Sequence, residues 1–123
     1  MILLEFLMIV YPDSYNTSFI LFRVKTAVDA LGNKAWRLVD SKEVGGVISS
    51  ISSKEYYSSI QTKVLFDFKV TIQSFIYDGS KYAYFPRYGK IYEIKRTYMN
   101  GQYIELYLSE TPLKWEDIIK NGT

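Results

Sequence analysis

The sequence predicts a mainly β fold: a small antiparallel β-barrel or sandwich with one short inserted helix and one short C-terminal helix. Three observations carry this. Apolar and polar residues alternate with period two in separate stretches, as half-buried strands require. Turn-forming residues punctuate those stretches. Tyrosine is abundant, 12 residues against 7 phenylalanines, and its apolar body with a polar tip suits half-exposed strands and protein interfaces. At 123 residues the chain is long enough for one core and too short for two. It divides into an N-terminal arm or first strand (1–16), the β-barrel (17–110) and a C-terminal helix with its tail (111–123).

Met1–Val10 is apolar at nine of ten positions, Glu5 being the exception. It is too short to span a bilayer and lacks a basic leader and a small-residue cleavage site, so a signal peptide and a membrane anchor are not expected. Three readings remain: a buried first strand, an arm that packs on a neighbouring subunit, or in part an upstream extension of a chain that starts at Met8. Tyr11-Pro12-Asp13-Ser14 then supplies turn chemistry.

Phe19–Asp29 alternates, with Ile20, Phe22, Val24 and Val28 on one face and Arg23, Lys25 and Asp29 on the other. Leu31-Gly32-Asn33-Lys34 is a hairpin turn into Lys34–Asp40, where Trp36 and Leu38 share a face. Gly45-Gly46 reads as a bulge or tight bend before Val47–Ile51. Ser52 and Glu55 match a capping box, which predicts a two-turn helix from about Ser53 to Gln61, with Tyr56 and Ile60 stacked at i,i+4. Val64–Ile76 is the best strand of the chain, with Phe66, Phe68, Val70 and Ile72 on one face, and Asp78-Gly79 turns after it. Pro86 confines Tyr82–Tyr88 to an edge strand or a loop.

The last hairpin turns near Asn100-Gly101. A two-residue turn at those positions sets Glu93 and Lys95 against Leu108 and Leu106. A three-residue loop, Met99-Asn100-Gly101, instead sets Tyr92 and Ile94 against them, with Lys95 against Glu105. Arg96 would face Glu105 in the shorter turn, so charge does not decide. Apolar parity favours the three-residue loop, bulged, with Gly101 in the left-handed region. Thr111-Pro112 reads as the N-cap and first residue of a helix over about 112–120, where Trp115, Ile118 and Ile119 recur at helical spacing and Gly122 is a stop.

The chain has no cysteine and no histidine. Disulfides, thiolate zinc sites, cysteine nucleophiles and every histidine-based acid–base or metal arrangement are therefore excluded. The carboxylates are dispersed, with no pair placed for hydrolysis, and no Ser–Lys dyad is spaced for one. Neither an enzyme nor a cofactor is expected. A net charge of +2 is too small to argue for nucleic acid alone.

Taken in order, the Gly-containing hairpin before Trp36, Ile51-Ser52-x-x-Glu55-Tyr56-Tyr57-x-x-x-Gln61, the long strand, Tyr88-Gly89-Lys90-Ile91-Tyr92-Glu93-Ile94 and Ile104-Glu105-Leu106 before Ser109-Glu110 form a pattern. It resembles the head-closure proteins of long-tailed bacteriophages, also called stopper or head–tail connector proteins. The resemblance covers roughly Phe19–Glu110 and leaves both ends of the chain unmatched. It implies a small β-barrel that assembles as a ring below the portal and its adaptor, six-fold or alternatively twelve-fold. The ring closes the DNA channel after packaging and docks the tail. The implied partners are the chain itself, the portal-bound adaptor, the tail-completion protein and genomic DNA without sequence preference, with no membrane involved. The implied place is the virion, after assembly in the host cytoplasm.

In that family a long loop projects into the channel as the plug. Two segments qualify: Ser49–Lys63, favoured because it holds the motif, and Tyr77–Tyr88. The candidate loop or interface residues are Ser52, Glu55, Tyr56, Tyr57, Gln61, Lys63, Lys81, Arg87 and Trp115. Several of these also have a plainer reading. Glu55, Tyr56 and Tyr57 serve equally as a helix cap and its packing, and Lys81, Arg87 and Lys90 as a solvated face. Two other functions compete: a tail-completion or tail-terminator protein of the same assembly, and an OB- or SH3-like barrel that binds single-stranded nucleic acid.

Overall fold

The computed structural model describes residues 17–51 and 65–120. Six strands dominate it: β1 (Thr17–Val28), β2 (Lys34–Ser49), β3 (Phe68–Gln73), β4 (Tyr82–Phe85), β5 (Lys90–Asn100) and β6 (Tyr103–Glu110). They form one antiparallel sheet that closes on itself in the order β1-β2-β3-β6-β5-β4. The mainly β expectation holds.

The registers define two ends. Thr17 pairs with Gly46, Ser49 with Lys69, Phe68 with Leu108, Tyr92 with Glu110 and Phe85 with Lys90. One end therefore gathers the start of β1, the exit of β2, the entry to β3, the Pro86–Gly89 turn and the exit of β6. The other end carries the β1–β2 tip, the β3–β4 connection and the β5–β6 tip.

The interior is filled by Phe19, Leu21, Val44, Val70, Ile72, Ala83, Phe85, Tyr92, Ile104, Leu106 and Leu108. Alternation in β1 had pointed to Ile20, Phe22 and Val24 as the core face. In the fold Phe19 and Leu21 fill the interior, and Phe22 is equally buried on the outer face. There it lies with Ile20, Val24, Trp36 and Leu38 beneath Leu113, Trp115 and Ile118. Both faces of this half of β1 are covered, so its alternation carries no polar side to read.

That cover is the segment expected to be a C-terminal helix. Among its described residues it holds only a single 3₁₀ turn, Trp115–Asp117. Thr111 does not cap a helix. Its hydroxyl donates to the Ile91 carbonyl at 2.9 Å and accepts from the Leu113 amide at 3.2 Å, pinning the chain to β5. Ile119 then bridges β2 in parallel beside Arg37. Its amide donates to the Trp36 carbonyl and its carbonyl accepts from the Leu38 amide, both at 2.8 Å. Those backbone groups satisfy a sheet edge, and a helix would have needed them internally. The spacing of Trp115, Ile118 and Ile119 reflects contacts with the sheet, not a helical period.

Other boundaries also moved. β3 stops at Gln73, where a 3₁₀ turn, Ser74–Ile76, is held to the β5–β6 tip by the Ser74 amide on the Gln102 carbonyl, 2.7 Å. β4 is no edge: it pairs with β1 and β5, and Pro86 falls just beyond it, in the turn. Gly45-Gly46 makes no bulge, because β2 runs through it unbroken against β1. Gly46 is needed for close approach instead, since a Cβ there would stand 2.9 Å from the Thr71 carbonyl oxygen and 2.9 Å from Val70 Cγ2. The expected inserted helix at about 53–61 lies outside the described residues.

The last hairpin differs most instructively. Its loop is Gly101-Gln102, with Asn100 opposite Tyr103, so neither weighed register is the observed one. Gly101 does adopt the left-handed region, at φ 65°. Near the tip Thr97 faces Leu106, and a bulge between Ile94 and Arg96 then shifts the pairing by one residue, setting Ile94 against Leu108. Apolar parity is kept, as reasoned, but the extra residue sits inside the strand and not in the loop.

Candidate functional site

The candidate residues fall into two groups. Ser52, Glu55, Tyr56, Tyr57, Gln61 and Lys63 lie outside the described residues. Lys81, Arg87 and Trp115 are placed, and they do not converge.

Lys81 is exposed just before β4, and its carbonyl accepts the Ile94 amide at 2.8 Å. Arg87 is at the opposite end of β4, in the Pro86–Gly89 turn, with its guanidinium 5.4 Å from the Tyr88 ring centroid. At about 3.3 Å per residue the four residues of β4 hold the two roughly 13 Å apart or more. The Tyr77–Tyr88 segment is thus no single projecting loop: β4 occupies its middle and its ends lie at opposite ends of the sheet.

Trp115 is half-buried against the outer face. Its indole stacks on Tyr84 with centroids 4.6 Å apart and planes 5° apart, meets Phe22 edge-on at 5.1 Å and carries the Lys120 ammonium at 4.7 Å. These contacts make it the centre of a clasp between the tail and the sheet.

The end that gathers Thr17, the exit of β2, the entry to β3 and the Pro86–Gly89 turn has features the sequence did not single out. Phe19 and Phe85 stack at 4.6 Å, and Phe68 meets Phe85, Tyr92 and Tyr88 edge-on at 5.3, 4.8 and 6.0 Å. These rings close the interior of the sheet below Arg87. Period two had placed Phe68 on a core face, but contacts among strands distant in sequence have no local signal.

The returning chain is fixed there by polar contacts. The Asp67 amide donates to the Leu108 carbonyl at 2.7 Å, and the Asp67 carboxylate accepts the Glu110 amide at 2.6 Å. The Ser109 hydroxyl donates to the Leu65 carbonyl, and Lys90 pairs with Glu110 at 3.3 Å. Burial, followed by the nearby Glu110 and Asp67 carboxylates, pushes the Tyr92 phenol up to about 12. It therefore stays protonated and neutral at physiological pH, a packing group and not an acid or base poised near neutrality.

At the opposite end Asp78 locks the β3–β4 connection to the long hairpin. Arg23 reaches it at 3.1 Å and Lys42 at 3.5 Å, while Arg23 also meets Asp40 at 3.3 Å. The buried Ser80 donates its hydroxyl at 2.5 Å and its amide at 3.0 Å to the same carboxylate oxygen. Burial opposes the charged form, but the Ser80 bonds and the two cations outweigh it and hold Asp78 down at about 2.

Among the described residues no cluster of carboxylates is placed to hold a metal ion, and no helix is long and apolar enough to cross a membrane. A cavity of about 380 Å³ lies between the tail and the start of β2 and is lined by Lys34, Trp36, Leu113 and Ile118 among others. It sits on the clasp, at the Lys34 end of β2. The arrangement offers surfaces and anchored loops. No family model matches this chain, and none of the curated proteins matches it.

Proposed function

We propose that the protein is a structural component of a phage head–tail connector, a head-closure protein. Copies would form a ring below the portal and adaptor, close the DNA channel after packaging and present the surface on which the tail docks. One observation carries the reading. The connection that holds Ser52-x-x-Glu55-Tyr56-Tyr57 leaves β2 and returns to β3 at one end of a closed sheet, anchored on both sides by paired strands. A plug needs that combination: a rigid frame with one long connection at its mouth.

The first of the two plug segments, Ser49–Lys63, is the stronger for this reason. Tyr77–Tyr88 is committed to β4 and gives way to it. Arg87, exposed in the Pro86–Gly89 turn at the end where β2 closes and β3 begins, would meet DNA phosphates non-specifically. The single-strand-binding alternative is the weaker one. It needs basic and aromatic side chains along one groove, whereas Lys81, Arg87 and the Trp115–Lys120 pair occupy three separate places.

Deleting the gene tests the reading. Heads assembled without the protein are expected to package DNA, leak it and fail to accept tails. Filled heads that keep their DNA and join tails normally would overturn it.

A further inference from the structure

The first residue of β4, Tyr82, pairs with Phe22 on one side and Glu93 on the other. Past that level β1 and β5 continue without β4, and each is bulged at once, between Arg23 and Val24 and between Ile94 and Arg96. Bulges bend and twist a strand; the β1–β2 hairpin leaves the closed sheet as an arm, whereas β6 stays paired with β3 up to Tyr103 and only β5 loses its outer neighbour beyond Ile94. The β1–β2 arm is covered by the tail, through Trp36, Leu38 and the Ile119 bridge.

The outer edge of β5 beyond Ile94 is bare. Lys95–Asn100 is exposed at all six positions. Among the described residues its outward edge pairs with no strand, the last bond on that side being the Ile94 amide to the Lys81 carbonyl. Tyr98 and Met99 are 54% and 62% exposed, and Phe75, on the turn bonded to the same hairpin tip, is 81% exposed. Natural sheets usually blunt such an edge with charge or proline. Here the charges, Lys95 and Arg96, stand only at its inner end.

We propose that this edge binds, as an added strand, the N-terminal segment Met1–Val10 of a second copy of the chain. The segment is apolar at nine of ten positions, and its one charge, Glu5, is opposite in sign to Lys95 and Arg96. Sixteen residues precede Thr17, a reach of about 50 Å when extended. Thr17 lies at the end of the sheet away from the bare stretch, so within one subunit the segment would have to run the height of the sheet and pass β4. A neighbouring subunit offers the edge without that crossing. The outward N–H and C=O groups of alternate residues along Lys95–Asn100 supply main-chain bonds, and apolar side chains of the added strand meet Tyr98 and Met99. The inference requires only a second copy, so it stands or falls separately from the connector reading.

The absence of cysteine makes the test clean. Full-length Leu7→Cys and Tyr98→Cys chains are mixed and oxidised, with Leu7→Cys plus Leu31→Cys as the control at the other hairpin tip. A two-chain mixed disulfide that forms with Tyr98→Cys and is lost in the control is expected. Three results overturn the proposal: no mixed disulfide, a Leu7→Cys/Tyr98→Cys double variant that closes only within one chain, or Tyr98→Cys chains that link chiefly to one another.

Discussion

Replacing Gly46 by alanine should destabilise the protein, against the usual trend for glycine in a strand. Glycine inside a strand ordinarily costs roughly 0.5–1 kcal/mol relative to alanine, so relief of chain entropy alone predicts a gain. At Gly46 the new Cβ would stand 2.9 Å from the Thr71 carbonyl oxygen, 2.9 Å from Val70 Cγ2 and 3.0 Å from Ile72 Cγ2. The first is backbone in a strand paired on both sides, and the other two belong to buried core residues. None is the free end of a flexible side chain, so β2 and β3 must separate. Overpacking of this kind costs about 1–3 kcal/mol. The collision therefore exceeds the entropic gain, and the net loss should be about 1–2 kcal/mol. Urea titration measures it directly, and thermal melting should show a fall of about 4–8 °C. A Gly46→Ala protein as stable as the parent, or more so, would refute the argument that close approach holds glycine there.

Trp115→Ala should cost about 2 kcal/mol, from lost apolar burial and the Tyr84 stack. It should also speed hydrogen exchange at the Leu38 and Ile119 amides, which bond across the same clasp; unchanged exchange would contradict the clasp. Gly101→Ala should lose about 1 kcal/mol in equilibrium unfolding, because φ is 65° with open space around it, so strain acts alone. Asp78, held at about 2 against an ordinary 3.8, stabilises the fold above pH 4 and loses that contribution as pH falls toward 2. The contribution should be about 1 kcal/mol after allowing for its partial exposure. An Asp78→Asn protein should lack that part of the acid slope in unfolding measured between pH 4 and pH 2.

Local chemistry was legible where one residue or one period decides the outcome. Alternation located β1, β2 and β3, and the turns at Gly32, Gly79 and Gly101 all carry positive φ. What failed depended on partners distant in sequence. β1 looked one-sided because nothing local announces that residues 113–119 will cover its second face. The tail looked helical because Trp115, Ile118 and Ile119 have helical spacing, yet the open edge of β2 claims the Ile119 backbone. Gly46 looked like a bulge, since its reason lies in β3. The hairpin register failed for a different cause: parity constrains the face of each residue, but not whether the extra residue sits in the loop or at Lys95, five positions before the strand's end. Of the placed candidate residues, Lys81 and Arg87 were correctly read as exposed, but their separation by β4 was not visible without the pairing.

Electron cryomicroscopy of the head–tail interface, in particles assembled with this protein, tests the central claim most directly. The connector reading predicts a ring of these closed sheets between the portal–adaptor complex and the tail, with the 50–67 connection directed toward the channel. An interface fully accounted for by other chains, with this protein elsewhere or absent, would contradict it.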